Sequence, residues 1–356
     1  MAKIDVLLTE MVKSGASDLH MSAGLPPMLR LKGDLVPTKH GQLSHRINEQ
    51  LFFELMTEGQ QKRLQTTLEL DMAYDIEGLA RFRCNFFYQA RGISAVFRQI
   101  PADIQPLDQL GMPAGIQNIL MIRKGLVLVT GPTGSGKSTT LAAIIDHINR
   151  TAEQHIITIE DPLEFVHENR KSLITQREIG AHATSFAEAL RVASREDPDI
   201  ILIGEMRDLE TISLALTCAE LGILVYGTLH TNSAIKSIDR IINSFPANQQ
   251  NQTRSMLSES LKAVLAQQLL KTADGKGRCA AVEILIGSPA ISNLIREGRL
   301  TQIASAIQTG TSEGMQTMDQ ALQQLVDQKR IRPEEAYWKA MDKATFAVQC
   351  SDEILE

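Results

Sequence analysis

The sequence predicts an α/β protein built around a mainly parallel sheet, and three observations predict it. Apolar runs at 125–130, 155–159, 199–204 and 223–229 lack polar alternation, as expected of strands buried on both faces. Helical patterns separate these runs; Leu209 to Leu221, for example, has Asp208 and Gly222 placed as caps. Alternating β and α elements of this kind imply a doubly wound parallel sheet. The length, 356 residues, suits two or three domains with cores that need no disulfide or metal staples.

Ahead of that region the pattern is mixed. Residues 3–13 carry Ile4, Leu7, Leu8 and Met11 at helical spacing. Met28 to Val36 reads as a short hairpin turning at Gly33-Asp34. A second hairpin follows, in which Phe82, Cys84 and Phe86 alternate with Arg81, Arg83 and Asn85 before the chain returns as Ile93 to Ile100. This describes a half-buried antiparallel sheet with arginines on its outer face. Eight of the 15 aromatic residues fall between Phe52 and Phe97, and Pro101, Pro106 and Pro113 then cluster, so a linker is expected at 101–113. The remaining boundaries are set at 1–100, 114–270 and 271–356. Beyond about residue 250 the pattern reads as helical only. Leu257, Leu261, Val264, Leu265 and Leu269 form one stripe, Ser288-Pro289 opens a helix closed by Gly298, and Thr317 with Gln320 has capping-box spacing.

Composition argues against several function classes. With 36 basic and 42 acidic residues the net charge is −6, which leaves no broad basic surface for nucleic acid or an anionic membrane. Cys84, Cys218, Cys279 and Cys350 are too far apart for a local zinc knuckle and read as buried apolar residues of a reducing compartment. Asp5 and Glu10 interrupt any signal peptide, and Glu220 and Gly222 break the apolar stretch Ile212–Leu229 into a buried helix and a buried strand. A cytoplasmic protein is expected, touching membrane only peripherally.

Four constellations carry chemistry. Gly131-Pro132-Thr133-Gly134-Ser135-Gly136-Lys137-Ser138, followed by Thr139, fits the phosphate-binding loop pattern and sits between a predicted strand and a predicted helix. Glycines there let backbone N–H groups face phosphate oxygens, Lys137 reaches the β- and γ-phosphates, and Ser138 ligates Mg²⁺. A nucleotide with Mg²⁺ is therefore the expected ligand. Glu160-Asp161-Pro162-Leu163-Glu164 ends a buried strand, where acids polarise water or orient a metal, or else simply solvate a turn. Asp199 to Glu205 is an apolar strand ending in an acid, the Walker B shape, which places Glu205 near metal and water. Thr228-Leu-His230-Thr offers hydroxyl and imidazole groups that sense a γ-phosphate; a lone loop histidine is otherwise an ordinary polar residue. Arg81 and Arg83 are either a solvated sheet face or arginines supplied to a nucleotide from another domain or subunit.

In this order and spacing the blocks resemble the secretion ATPase superfamily, and most closely the type IV pilus retraction ATPases of the PilT type. Ile159 to Glu164 resembles that family's Asp box, Ile203 to Asp208 its Walker B segment, and Thr228 to Thr231 its His box. Ser17-Asp-Leu-His20 with Pro26-Pro27 resembles its N-terminal signature, Ala290 to Glu297 its retraction motif, and Gly314 to Thr317 also matches. The resemblance implies a PAS-like N-terminal domain, a RecA-like ATPase domain and a helical C-terminal part, assembled as a homohexameric ring with nucleotide between the two domains. It further implies a motor at the inner face of the inner membrane that depolymerises the pilus through a platform protein, with a paralogous accessory ATPase as a further partner. By position, Glu164 resembles the catalytic glutamate, Glu205 the Walker B acid and His230 the His-box histidine, while Arg81 and Arg83 resemble arginines that approach the phosphates. Two positions depart from the pattern: Ile223 stands where the family often has histidine, and Ser292 where it has arginine. Pilus-extension and type II secretion ATPases are related alternatives, but the short N-terminal region and the lack of Cys-x-x-Cys argue against them, whereas an accessory retraction ATPase that works only beside a principal motor stays open. A non-hydrolysing regulatory subunit is a rival of another class, opposed by the presence of both Glu164 and Glu205.

Overall fold

In a computed structural model, which describes residues 2–31, 33–100 and 104–350, the chain forms two compact units. The first is Met1–Asp103 with Glu164–Val166, and the second is Ile104–Leu163 with His167–Glu356. Residues 101–103 of the expected linker, Pro101 among them, lie outside the described residues. Leu107–Leu110 of that linker forms a 3-10 helix whose Leu107 is buried in the core of the second unit.

The first unit is an antiparallel sheet of β1 (Asp18–Met21), β2 (Met28–Leu31), β3 (Asp34–Pro37), β4 (Glu69–Ile76), β5 (Ala80–Gln89) and β6 (Gly92–Ile100), in the order β3-β2-β1-β6-β5-β4. Both expected hairpins are present, and helices Asp5–Ser14, His45–Phe53 and Glu58–Thr67 complete the unit. The alternation on β5 has its physical reason here. Phe82, Cys84 and Phe86 point into the core, where Phe86 meets Phe52 and Phe97 edge-on with ring centroids 5.2 and 5.6 Å away, and the intervening Arg83 stays exposed.

The second unit holds β7 (Gly125–Thr130), β8 (His155–Glu160), β9 (Leu173–Glu178), β10 (Ile200–Ile203), β11 (Leu224–Leu229), β12 (Leu261–Lys271) and β13 (Arg278–Ile286), in the order β13-β12-β7-β11-β10-β8-β9. Every neighbouring pair is parallel except β12 with β13. The unbroken apolar runs follow from two cores. On β7, Leu126 and Leu128 enter one core while Val127 and Val129 enter the other, and Ile157 and Ile156 on β8 divide in the same way. The expected α/β class with a mainly parallel sheet is what the chain forms.

One expectation is corrected. The region beyond 250 is not helical only, because Leu261–Lys271 and Arg278–Ile286 are strands. The stripe Leu261, Val264, Leu265 and Leu269 suits a helix, but a strand covered on both faces also needs apolar residues without alternation, and β12 lies between β7 and β13. β13 carries this sheet past residue 270, and β9 is a further strand that the apolar pattern did not signal. The later helices form as expected. Pro289–Arg296 is capped by Ser288, and Met318–Asp327 has the Thr317–Gln320 capping box.

Candidate nucleotide site

β7 ends at Thr130, the loop 131–136 turns, and the helix Lys137–Thr151 begins. Gly136 closes the loop at φ 87°, a left-handed conformation that side chains disfavour. Gly131 is needed for closeness as well as for its φ of 149°: any Cβ there would collide with the carbonyl oxygen of Gln267 on β12. The Lys137 ammonium bends back over the loop and donates to the carbonyl oxygens of Gly131 at 2.9 Å and Pro132 at 3.1 Å. Pro132, Thr133 and Gly134 are exposed at the tip, Ser135 is buried, and Ser138 and Thr139 sit half-buried in the first helical turn. The Ser135 hydroxyl has no partner among the described residues. A curled backbone, a helix N-terminus and a lysine converge here, an arrangement suited to an anion such as phosphate.

Parallel register brings the other constellations to the same sheet edge. Thr130 lies abreast of Leu229, and Ile203 is abreast of both Gly227 and Ile159. Backbone bonds continue beyond the strands, from Gly204 N–H to Ile159 C=O at 2.7 Å and from Met206 N–H to Thr228 C=O at 3.1 Å. The Thr228 hydroxyl donates to the Gly204 carbonyl, which pins the backbone just before Glu205. Gly227 leaves room for Met206, whose sulfur fills the space a Cβ would take.

The Glu205 carboxylate is held from two sides. Oε2 accepts from Arg207 Nη2 at 2.6 Å, and Oε1 lies 3.0 Å from His230 Nε2. The Arg207 hydrogen bond is the main reason its carboxyl titrates below the ordinary glutamate value, and His230 adds to the effect. Arg207 in turn also feels Asp161. A chain of hydroxyls ties this edge to the base of the phosphate loop: Thr231 Oγ1 is 2.6 Å from Ser237 Oγ, which is 3.4 Å from Thr130 Oγ1. Lys137, Ser138, Glu205 and His230 thus stand on one edge of one sheet. Glu160 ends β8 on that edge.

The remaining residues belong to the first unit. Glu164 is exposed and is grouped with that unit. Arg81 and Arg83 share one face of β5, with Arg81 Nη1 3.1 Å from Asp75 Oδ2 and Arg83 exposed.

Sequence reasoning missed Arg207 and Gln267. Arg207 had a signal in its place two residues after Glu205. Gln267 is a buried amide on β12, and its signal was a polar residue inside an apolar run. A cavity of about 250 Å³ opens beside Gly136 and Thr139, and Gln267, Gln109, Arg278 and Arg330 help to line it. It adjoins the phosphate loop and offers room for the rest of a nucleotide. Among the described residues no three His, Cys, Asp or Glu side chains gather into a metal site, and no helix is long and apolar enough to cross a membrane.

The fold and this edge define the class: the chain belongs to the Type II/IV secretion system protein family, whose family model matches residues 1–345. Within that family it is 54% identical over 343 residues to the type IV pilus retraction ATPase PilT of Pseudomonas aeruginosa, covering 96% of this chain and 99% of that protein. It is 51% identical over 344 residues to a twitching motility protein of Neisseria gonorrhoeae, covering 97% of this chain and 92% of the relative. The crystal structure of the pilus retraction motor PilT with bound ADP superposes with a TM-score of 0.90 at 44% identity, over 97% of this chain and 98% of that one.

Proposed function

We propose that this chain is the ATPase motor of type IV pilus retraction, working in the cytoplasm as a homohexameric ring at the pilus platform protein. One observation carries the reading: a phosphate-loop lysine and a Glu205–His230 pair occupy one sheet edge. The chain that carries them is 54% identical to a pilus retraction ATPase over nearly its whole length.

The reaction is attack of water on the γ-phosphorus of ATP, with cleavage of its bond to the bridging oxygen and release of ADP and phosphate. The loop N–H groups and Lys137 hold the phosphates, and Lys137 must leave the carbonyls of Gly131 and Pro132 to do so. Glu164 takes the proton of the attacking water. His230 and Thr228 report the γ-phosphate to the Walker B strand, while Arg81 and Arg83 neutralise charge on the transferred group.

Mg²⁺ fits the donor set, because Ser138 and Glu205 supply the hard oxygens this ion prefers. Both Glu205 oxygens are already engaged, so Ser138 would hold the ion and Glu205 would act through water. When bound, it neutralises charge on the β- and γ-phosphates.

The test is steady-state hydrolysis of ATP with Mg²⁺ against protein concentration, for wild type and Glu205→Ala. Specific activity that rises with concentration, together with an inactive variant, is the expected result. A wild-type chain that binds ATP yet stays inactive as it is concentrated would refute the motor reading.

A further inference from the structure

We propose that Gln267 positions the phosphate loop and donates its side-chain N–H to the nucleotide, on the side away from the transferred phosphoryl group. The proposal rests on the nucleotide reading above and adds a residue to it.

Register places this residue. β12 runs parallel to β7 with Ala266 abreast of Thr130, so the next residue of β12 lies beside the first residue of the loop. There its main chain and its side chain both meet the loop. The Gln267 carbonyl oxygen occupies the space that a side chain at Gly131 would need, and its Nε2 would stand 2.9 Å from any Cβ at Gly136. One glutamine therefore touches the first and last glycines of the loop.

The side chain is also oriented. Thr140 Oγ1 donates to Gln267 Oε1 at 2.9 Å across 127 residues of sequence, and both residues are buried, at 1% and 3% exposure. Once Oε1 is fixed on the helix, the planar amide must turn Nε2 toward Gly136 and the adjoining cavity. Nε2 makes no hydrogen bond to the described residues, and it is open to the cavity rather than sealed in protein. A glutamine amide that opens on a cavity from inside an apolar strand is answered there by water or by a ligand. The chemistry that answers it is an oxygen of a bound nucleotide. Lys137 and Ser138 serve the terminal phosphates, whereas Gly136, Thr139 and the cavity lie on the flank of the loop that Gln267 shares.

A contact to that part of the nucleotide is the same before and during hydrolysis. Losing it weakens binding without slowing chemistry. The experiment is calorimetric binding of ADP to the full-length chain, with kcat and KM for ATP, for wild type, Gln267→Met, Gln267→Glu and Thr140→Val. Gln267→Met keeps the volume and loses the amide. It is expected to weaken ADP binding and raise KM by about tenfold, with kcat within about threefold, the effect of one hydrogen bond to a charged group. Gln267→Glu keeps the acceptor for Thr140 and sets a carboxylate against the phosphates, so ADP binding falls on the order of 100-fold. Thr140→Val frees the amide and gives a smaller loss, and the double variant with Gln267→Met is no worse than Gln267→Met alone.

Wild-type affinity for ADP in folded Gln267→Met would overturn the proposal. If that variant does not fold, undiminished ADP binding by Gln267→Glu would overturn it equally. A lower kcat at constant KM would also count against it, because that is the mark of an indirect effect on the chemical step. Wild-type protein that binds no ADP at all would instead sink the nucleotide reading on which the proposal stands.

Discussion

His230 Nε2 lies 3.0 Å from Glu205 Oε1, so the residue that follows β11 grips the acid that follows β10. The two strands are parallel neighbours, and a change at His230 is therefore passed directly to Glu205. Replacing the acid and replacing its partner have different consequences. Glu205→Gln keeps the shape, loses the charge and should lower kcat by about 10²-fold or more while ADP still binds. His230→Ala leaves Glu205 bound to Arg207 and should cost about tenfold. Single-turnover hydrolysis compared with ADP binding separates the two. Equal losses from both variants would show that the imidazole and the carboxylate act as one unit.

Arg207 makes a prediction about pH. Its hydrogen bond is the main cause of the lowered Glu205 pKa. A depressed carboxylate pKa keeps the charged form present well into acid, and that form is lost as pH falls through the folded value. Arg207→Ala should move this loss to higher pH. Turnover at pH 8 should change little, whereas near pH 4 it should fall about threefold relative to wild type. The check is a pH–rate profile of kcat, and superimposable acid limbs would remove Arg207 from the control of Glu205.

Legibility in the sequence followed the range of the forces involved. The phosphate loop, the Walker B strand and the His box are local, because glycine geometry, strand burial and caps are all encoded within about ten residues of each site. β7, β8, β10 and β11 were read for the same reason. β12 was misread because a strand buried on both faces and one stripe of a helix share their apolar spacing, and only the partners β7 and β13 decide between them. Gln267 escaped notice because its partner, Thr140, is 127 residues away. Glu283 is similar: a charged residue in an apolar run means little until the helix ends that it holds are in place.

Arg83 tests what the first unit contributes. It stands exposed on β5, and a guanidinium there is either a solvated surface group or a charge brought to the nucleotide. Under the proposed function Arg83→Ala should leave ATP binding largely intact and lower turnover by about 10³-fold, as transition-state arginines do. An exposed arginine on a sheet face has no such effect on hydrolysis, since its loss alters stability by only a few tenths of a kcal/mol. Equal kcat in wild type and variant would assign Arg83 to the surface.

Glu283 is the buried acid that joins two parts of the second unit. It projects from β13, is 8% exposed, and accepts from the backbone N–H of Ala234 at 2.7 Å, while the Met318 N–H also favours its charged form. Those N–H groups open the helices Ala234–Asn243 and Met318–Asp327, the first of them directly after the His box. Helix N-termini favour the carboxylate, but burial outweighs them and pushes its pKa above the ordinary glutamate value. Between the unfolded and folded pKa values the folded chain therefore binds more protons than the unfolded chain. Stability falls as pH rises through that window, and the penalty is complete above the folded value. Glu283→Gln keeps an acceptor for one helix and removes the titration. Its Tm relative to wild type should therefore improve from pH 4.5 to pH 8, by roughly 2–4 °C for each kcal/mol of penalty relieved. Thermal unfolding of both proteins at the two pH values measures this. A difference that does not change with pH would show that the helix ends, rather than burial, govern the charge on Glu283.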